Sequence, residues 1–390
     1  MNGQELPPLA GLRVIDFGQL TAGANASAML ADLGAEVIKV ESGERIDIFR
    51  AWKPDGSDGW WNRSPQFHFT NRNKFGVSIN LKHPDGRKLL RELICQSDCV
   101  VENFRRGVME SLGLGYAELS EINPKVVYAA ISSQGNDGPN RLHRTLGSTL
   151  DAIGGLAALT GYEGGAPQIS GRDFNYPDQI VSLAAVGFII RALWEARRTG
   201  KGALVDVSQR ELATFLVGEH LTAASADPDY APVPQGNAEA GVLLQECFKG
   251  SDGRWAAITV RTATDQQRIE ALVGDGPDLE RNLALWIAVR TTQEAVEVLR
   301  AAGCSAAVVN NGTDLLAARN LWGRSLEFAD DGTLVKGMPC AFDDYPFEVS
   351  RTAPDLGQHT RQMLNRVLGM SEDELDRLEA AGAINTQPKF

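Results

Sequence analysis

The stretch Leu12 to Glu41, LRVIDFGQLTAGANASAMLADLGAEVIKVE, leaves this chain few architectures. Val14, Ile15 and Phe17 make a buried strand, Ala24 to Leu33 is rich in Ala, Met and Leu, Gly34 stops that helix, and Val37 to Val40 is a second strand. Strand, helix and strand in this order form a βαβ unit, so the strands lie parallel and are joined by a right-handed crossover. Ligands of open parallel sheets sit beyond the carboxyl ends of the strands, which places a nucleotide-like ligand near the turn Gly18 to Gly23. A dinucleotide fingerprint requires G-x-G-x-x-G there, and the turn offers only Gly18 and Gly23. Glu41 does end the second strand, where a ribose-binding acid would stand, but half a fingerprint does not carry an NAD-dependent dehydrogenase.

Further strands are expected around Val77 to Leu81, Cys99 to Phe104, Lys125 to Ile131 and Leu204 to Val207, with helices at Pro84 to Gln96 and Ser208 to Leu221 between or after them. At 390 residues the chain exceeds what one hydrophobic core organises. The proline-rich run Asp227 to Pro234 reads as a linker. After it the pattern changes to a hairpin, Leu243 to Phe248 and Trp255 to Val260, followed by helices near Ala263 to Leu272, Asp278 to Val289 and Thr292 to Ala302, a strand at Ser305 to Asn310, and a short helix Asp314 to Asn320 capped by Thr313. Irregular chain follows, then an amphipathic helix ending near Ile384 that is expected to dock back on the first domain. The domains expected are 1–225, 226–320, and a return segment 321–390 that completes the first.

The net charge of −12 excludes a general nucleic-acid role, which needs a basic face. One segment departs from this balance: Arg72, Lys74, Lys82, Arg87, Lys88 and Arg91 meet few acids and Arg105-Arg106 follow, a local field fit for phosphates or a solvated helix face. Trp52, Trp60 and Trp61 occupy one loop, as core filler or as a ligand lid. Five scattered cysteines argue against a disulfide framework, and Cys95 and Cys99 fit buried small hydrophobes better than metal ligands, so no metal is expected. The N-terminus lacks a signal-peptide pattern, and no uninterrupted apolar run reaches the ~18–20 residues of a membrane span, so a cytoplasmic protein is expected.

The segment Gly171 to Gly202 carries a single carboxylate, Asp178, at the mouth of a helix that is apolar nearly all round and is expected to be buried. Pro177 fixes the entry, and Arg197 to Gly202 closes the helix with basic residues and glycine. An Asp there can cap orphan backbone N–H groups, or it can serve as an ionised nucleophile.

Several phrases together resemble the family III CoA-transferases: LAGLRVIDFGQLTAGANASAMLADLGAEVIKVE, NRNKFGVSINLKHPDGRKLL, VVENFRRGVMESLGLGYAELSEINPKVVYAAIS, RRTGKGALVDVSQ and APDLGQHTRQMLNRVLGMSEDELDRLEAAGAI. The resemblance runs nearly end to end and is thinnest from about residue 240 to 345. It implies an α/β protein: a large Rossmann-like domain with an open, mainly parallel sheet, a smaller α+β domain, and an interlocked homodimer. The family's nucleophile precedes a long apolar helix that closes with R-x-T-G-x-G. Counting back from Thr199-Gly200 lands on Asp178, while Asp173 falls five residues too early. By the same resemblance coenzyme A is a substrate rather than a tightly bound cofactor. It is expected along Gln19, Leu20, Thr21 and Ala22, near Ile79, Lys82, Asn103 and Phe104, with Arg105 or Arg106 toward its phosphates. The implied partners are an acyl-CoA donor, a small carboxylate acceptor and a second copy of the chain, with no nucleic acid and no membrane.

Two rivals follow from the same segments. The α-methylacyl-CoA racemases of this superfamily pair a histidine with an aspartate, and their Gly-His-Asp phrase falls here at Gly147-Ser148-Thr149. Ser148 does not abstract an α-proton near neutral pH, leaving His143 as a local substitute or as a surface loop histidine. The other rival binds CoA without turnover, since a fold does not fix a function.

Overall fold

The computed structural model describes residues 6–52, 54–171, 175–318, 326–340, 342–343, 345, 347–385 and 387–388. It divides into two compact units, one of Met1–Leu156, Ile169–Thr222 and Gly323–Phe390, the other of Ala157–Gln168 and Ala223–Trp322. In the larger unit six short strands, β1 (Arg13–Asp16), β2 (Glu36–Glu41), β3 (Phe75–Ser78), β4 (Cys99–Glu102), β5 (Val127–Ala130) and β6 (Ala203–Asp206), form one sheet in the order β3-β2-β1-β4-β5-β6. All five pairings are parallel. The order reverses direction between β1 and β4, which leaves a crevice beyond their carboxyl ends.

Alternate residues of each strand feed opposite cores, as the pleat requires. Val14, Val37, Val101 and Val127 face α1 (Ala22–Asp32) and the long helix Tyr176–Thr199, whose Val181, Ala185, Ile189 and Leu193 join the same core. Ile15, Ile38, Val100 and Tyr128 face the helix Pro84–Cys95 and the two C-terminal helices Thr360–Leu368 and Glu372–Ala380, which contribute Leu90, Met363, Leu364, Leu375 and Leu378. Both faces of the sheet are thus covered, which explains why its strands read as unbroken apolar runs.

The second unit has an antiparallel sheet in the order β7-β8-β9, with β7 (Leu244–Lys249), β8 (Trp255–Val260) and β9 (Ser305–Val308). Its helices Ala263–Val273, Leu279–Ala288 and Thr292–Ala301 close a core around Phe248, Ile258, Ile269, Leu283 and Leu299.

Several expectations are corrected. The helix anticipated from Ser208 to Leu221 is two, Gln209–Phe215 and Gly218–Ala226. The short helix is Gly312–Ala317, and its cap is Asn311, whose Oδ1 accepts from the N–H groups of Thr313 and Asp314 at 2.8 and 3.0 Å; Asn320 lies outside the described residues. The stretch read as irregular contains an antiparallel pair, β10 (Leu326–Phe328) and β11 (Leu334–Lys336). The long helix is buried along one face only, while Leu183, Phe188 and Trp194 are exposed. By length and composition it is also long and apolar enough to cross a membrane, because occasional polar residues do not interrupt its overall hydropathy.

Candidate active site

The turn from β1 into α1 is built on buried charge. Asp16 Oδ1 accepts from Gly18 N–H at 2.7 Å, and its Oδ2 accepts from Lys74 Nζ at 2.8 Å. Lys39 donates to the Gly18 carbonyl and to Asp47 Oδ2, and Asp47 Oδ1 accepts from Leu20 N–H at 3.2 Å. Leu20 stands at φ 56°, a left-handed conformation that costs a non-glycine residue roughly 1–2 kcal/mol. A further buried pair, Glu41 with Arg50, completes the foundation, and another, Asp32 with Arg72, anchors the far end of α1. Burial alone would raise the Glu41 carboxyl, but the Arg50 guanidinium overrides it and holds the pKa at about 2. Burial draws Lys74 down to about 8, against the pull of Asp16. Glu41 is therefore committed to Arg50 rather than open to a ribose.

Asn103, just past β4, closes the crevice from the other side. Its Oδ1 accepts from Gln19 N–H at 2.7 Å, and its Nδ2 donates to the Gln19 carbonyl at 2.9 Å. Beyond this clamp opens a cleft of about 790 Å³ lined on one side by Leu20, Thr21, Ala22, Asn103, Phe104 and Arg105. Its other wall includes His143 to Gly147, Leu150, Asp178 and Gln209, with Arg45 at the margin.

Asp178 is the third residue of the long helix, which begins at Tyr176 after the cap position Asn175. Its carboxylate does not cap that helix, and among the described residues it has no hydrogen-bond partner. Burial, and secondarily the charge of Asp151, push its pKa up to about 6. Asp151 is held in place by Ser170 N–H at 2.8 Å and Asn175 Nδ2 at 3.1 Å, which ties the loop entering the helix to the opposite wall. The wall itself presses close: a Cβ on Gly147 would stand 2.6 Å from Asp178 Oδ2 and collide with Asn175 Oδ1, so only glycine fits. Ser182 Oγ lies within hydrogen-bond distance of the carbonyls of Asp178 (2.7 Å) and Ala22 (2.9 Å), joining the first turn of the long helix to the start of α1.

Of the residues expected at the site, one cleft gathers Leu20, Thr21, Ala22, Asn103, Phe104, Arg105 and Asp178. Four others do not line it. The Gln19 peptide is consumed by the Asn103 clamp, Ile79 is fully buried in the core beside Ile384, Lys82 is exposed ahead of the helix Pro84–Cys95, and Arg106 pairs with Glu110. Asp173 lies outside the described residues. Of the two readings of the basic segment, the phosphate field at the cleft is not found, and a helix face accounts for Arg87, Lys88 and Arg91. Arg72 and Lys74 are buried in ion pairs, Arg87 and Arg91 donate to the carbonyls of Leu81 and Gly113, and Lys88 sits 4.0 Å from Glu92. The cations at the cleft are instead Arg45, Arg105 and Arg144, none of which has a side-chain partner among the described residues. Arg45 and Arg144 to Leu146 carry no signal in the sequence, since they meet Asp178 only through the fold; His143 and Gly147 stand out there only through the place of a racemase phrase. Trp52 packs edge-on against Phe49 at 6.0 Å in a small core, and none of the three loop tryptophans lines the cleft.

The sequence matches CoA-transferase family III over residues 9–360. A succinate–glutarate CoA-transferase of Agrobacterium fabrum is 29% identical over 92% of this chain and 95% of its own length. A protein described as a probable CoA-transferase of Mycobacterium tuberculosis is 29% identical over 95% of this chain; the chain spans 50% of that longer protein. Among solved structures, a CAIB/BAIF family protein from Brucella suis superposes with a TM-score of 0.85 at 26% identity, over 93% of this chain and 100% of that one.

Proposed function

The chain belongs to CoA-transferase family III, and from that premise we propose that it moves CoA from an acyl-CoA thioester to a carboxylic acid through covalent intermediates on Asp178. The observation that carries this reading is the Asp178 carboxylate itself, without a hydrogen-bond partner among the described residues and opening into the same cleft as the β1–α1 turn. A structural carboxylate so placed would be paired or would cap its helix.

In the proposed reaction an Asp178 oxygen attacks the thioester carbonyl, the C–S bond breaks, and CoA leaves as a thiolate, forming an aspartyl anhydride. The thiolate attacks the aspartyl carbonyl, releasing the first acid and leaving an aspartyl-CoA thioester. The acceptor carboxylate attacks that carbonyl, and the thiolate then reopens the second anhydride on the acceptor side, restoring Asp178. Each nucleophile is already anionic, so no general base is needed; the thiol pKa of about 8.5 makes CoA a competent leaving group. At about 6, the Asp178 pKa leaves the carboxyl roughly nine-tenths ionised at pH 7 and more basic than an ordinary aspartate, which favours attack. CoA would run along Leu20 to Ala22 and Asn103 to Phe104, with Arg45 and Arg105 toward its phosphates. Short dicarboxylic acids are the proposed substrate class, supported by the succinate and glutarate named for the Agrobacterium relative.

The larger unit would then act as a Rossmann-like CoA-binding domain and residues 226–320 as a separate smaller domain. An interlocked homodimer is supported by the exposed Leu183, Phe188 and Trp194 on the long helix, and a cytoplasmic location by five unpaired cysteines.

The test is incubation with acyl-CoA donors and carboxylate acceptors read by mass spectrometry, with hydroxylamine trapping of activated Asp178. Asp178→Ala is expected to retain CoA affinity and lose transfer; continued transfer by that variant would refute the mechanism, and CoA binding without acyl exchange by the intact chain would favour a binding protein. One observation favours a second reading: His143 lines the cleft that holds Asp178. A racemase-like enzyme would exchange the α-hydrogen of a 2-methylacyl-CoA with deuterated solvent, and a transferase would not.

A further inference from the structure

Beyond the wall that faces Asp178 lies a second hollow, of about 660 Å³. The two spaces share Arg105, His143, Arg144, Thr145 and Thr149 in their linings, so they adjoin along a common wall. The second hollow adds apolar Leu142 and Ile153 beside Arg210, and among the described residues no carboxylate lines it. It is chemically a place for a short aliphatic chain that ends in a negative charge.

Three cations without a side-chain partner among the described residues line these spaces: Arg45 lines the cleft alone, whereas Arg105 and Arg144 line both. Arg105 directly follows Asn103 and Phe104, along which CoA is proposed to run. Arg144 stands three residues before Gly147, whose Cα lies against the Asp178 carboxylate. Three residues span at most about 10 Å of backbone, so the guanidinium is within side-chain reach of an acyl group seated at Asp178. An acyl chain with a second carboxylate would bring it near Asp178 and Asp151, which repel it unless a cation intervenes.

We propose that Arg144 is a specificity-determining residue, which takes the free carboxylate of a dicarboxylic acyl group while the other carboxyl reacts at Asp178. This rests on Asp178 as the nucleophile and adds the residue that chooses the acid. The planar guanidinium matches a carboxylate in a two-pronged hydrogen bond. A monocarboxylic chain puts a methyl group against Arg144 instead, displacing its water without replacing the hydrogen bonds, and is discriminated against for that reason.

The experiment follows exchange of labelled succinate into succinyl-CoA and of labelled butyrate into butyryl-CoA, chains of equal length that differ in carboxylate against methyl. The unsubstituted enzyme is expected to favour succinate. Arg144→Ala is expected to lower kcat/KM for succinate by roughly 30- to 100-fold, the worth of one charged hydrogen-bonded contact, and to lower butyrate exchange by a much smaller factor. Arg144→Lys is expected to recover part of the loss, and Arg105→Ala to weaken both exchanges alike. An equal fall for both acids in Arg144→Ala would assign Arg144 to CoA and overturn the proposal, as would no fall, or an unsubstituted enzyme that exchanges butyrate as well as succinate. Exchange of neither acid would overturn both this assignment and the transfer reading beneath it.

Discussion

Asp178 is held in a state the fold resists, and replacing it with asparagine is expected to make the protein more stable and inactive. A carboxyl that ordinarily titrates at 3.8 titrates here at about 6, first because it is buried and second because Asp151 is near. At about 1.4 kcal/mol per tenfold change in proton affinity, the ionised form costs the folded state up to ~3 kcal/mol. Allowing for its partial exposure reduces this to ~1–2 kcal/mol. The sign follows from the raised folded-state pKa. Above pH 6 the group is ionised in both states and the full cost is present. As pH falls from about 6 toward 3.8, folded Asp178 gains its proton before the unfolded chain does, and the cost disappears. Asp178→Asn should therefore raise the unfolding midpoint by a few degrees at pH 8, where the folded-state penalty is full, and by progressively less toward pH 4.5. Thermal unfolding of both proteins at pH 8, 6 and 4.5, with acyl exchange measured alongside, checks this. A variant no more stable than the parent at pH 8, or an increment that does not shrink with acid, would refute the account of Asp178 as a desolvated, unpartnered carboxylate.

Three further outcomes are expected. The pH profile of kcat/KM should fall on the acid side with a midpoint near 6, because the nucleophile must be ionised, and Asp151→Asn should move that midpoint lower; a limb near 4 in the parent enzyme would contradict the raised pKa. Gly147→Ala should cut transfer by about 100-fold or more by displacing the Asp178 carboxylate, with circular dichroism unchanged, since misplacement of a reacting group by about an ångström has that effect. Asp47→Asn should destabilise the protein by about 3–5 kcal/mol, because it strands buried Lys39, and should weaken CoA binding through the loosened Leu20; thermal unfolding and calorimetric titration with CoA would show both.

The parallel sheet was legible because its information is local: Val14-Ile15 and Val37 to Val40 are apolar runs, and Gly34 marks a helix end without reference to anything distant. Asp178 was legible for another reason, a fixed spacing from Thr199-Gly200 along one helix. What stayed hidden depends on partners far apart in the chain. Arg72 and Lys74 looked like exposed cations because their acids, Asp32 and Asp16, lie some 40 and 58 residues earlier. The wall from His143 to Gly147 shows in the sequence only through His143 and the position of a racemase phrase at Gly147, and its role beside Asp178 emerges only when Gly147 meets that carboxylate. The three-residue strands Leu326–Phe328 and Leu334–Lys336 are too short to show alternation. The long helix misled differently: its composition is apolar all round, while the core of a single chain covers one face.

Four buried ion pairs, three beneath the β1–α1 turn (Asp16 with Lys74, Lys39 with Asp47, Glu41 with Arg50) and one at the far end of α1 (Asp32 with Arg72), also constrain how this protein can change over generations. Removing either member of such a pair strands a charge away from water, whereas exchanging both for apolar residues of similar volume can be nearly neutral. Single-step substitution at these positions is therefore closed, and drift must proceed by coupled double changes whose effects are far from additive. The exposed cleft residues Arg45, Arg105 and Arg144 carry no such bond to a partner among the described residues. New acid specificities can accordingly arise one substitution at a time on the walls of the cleft, while its floor is inherited as a block.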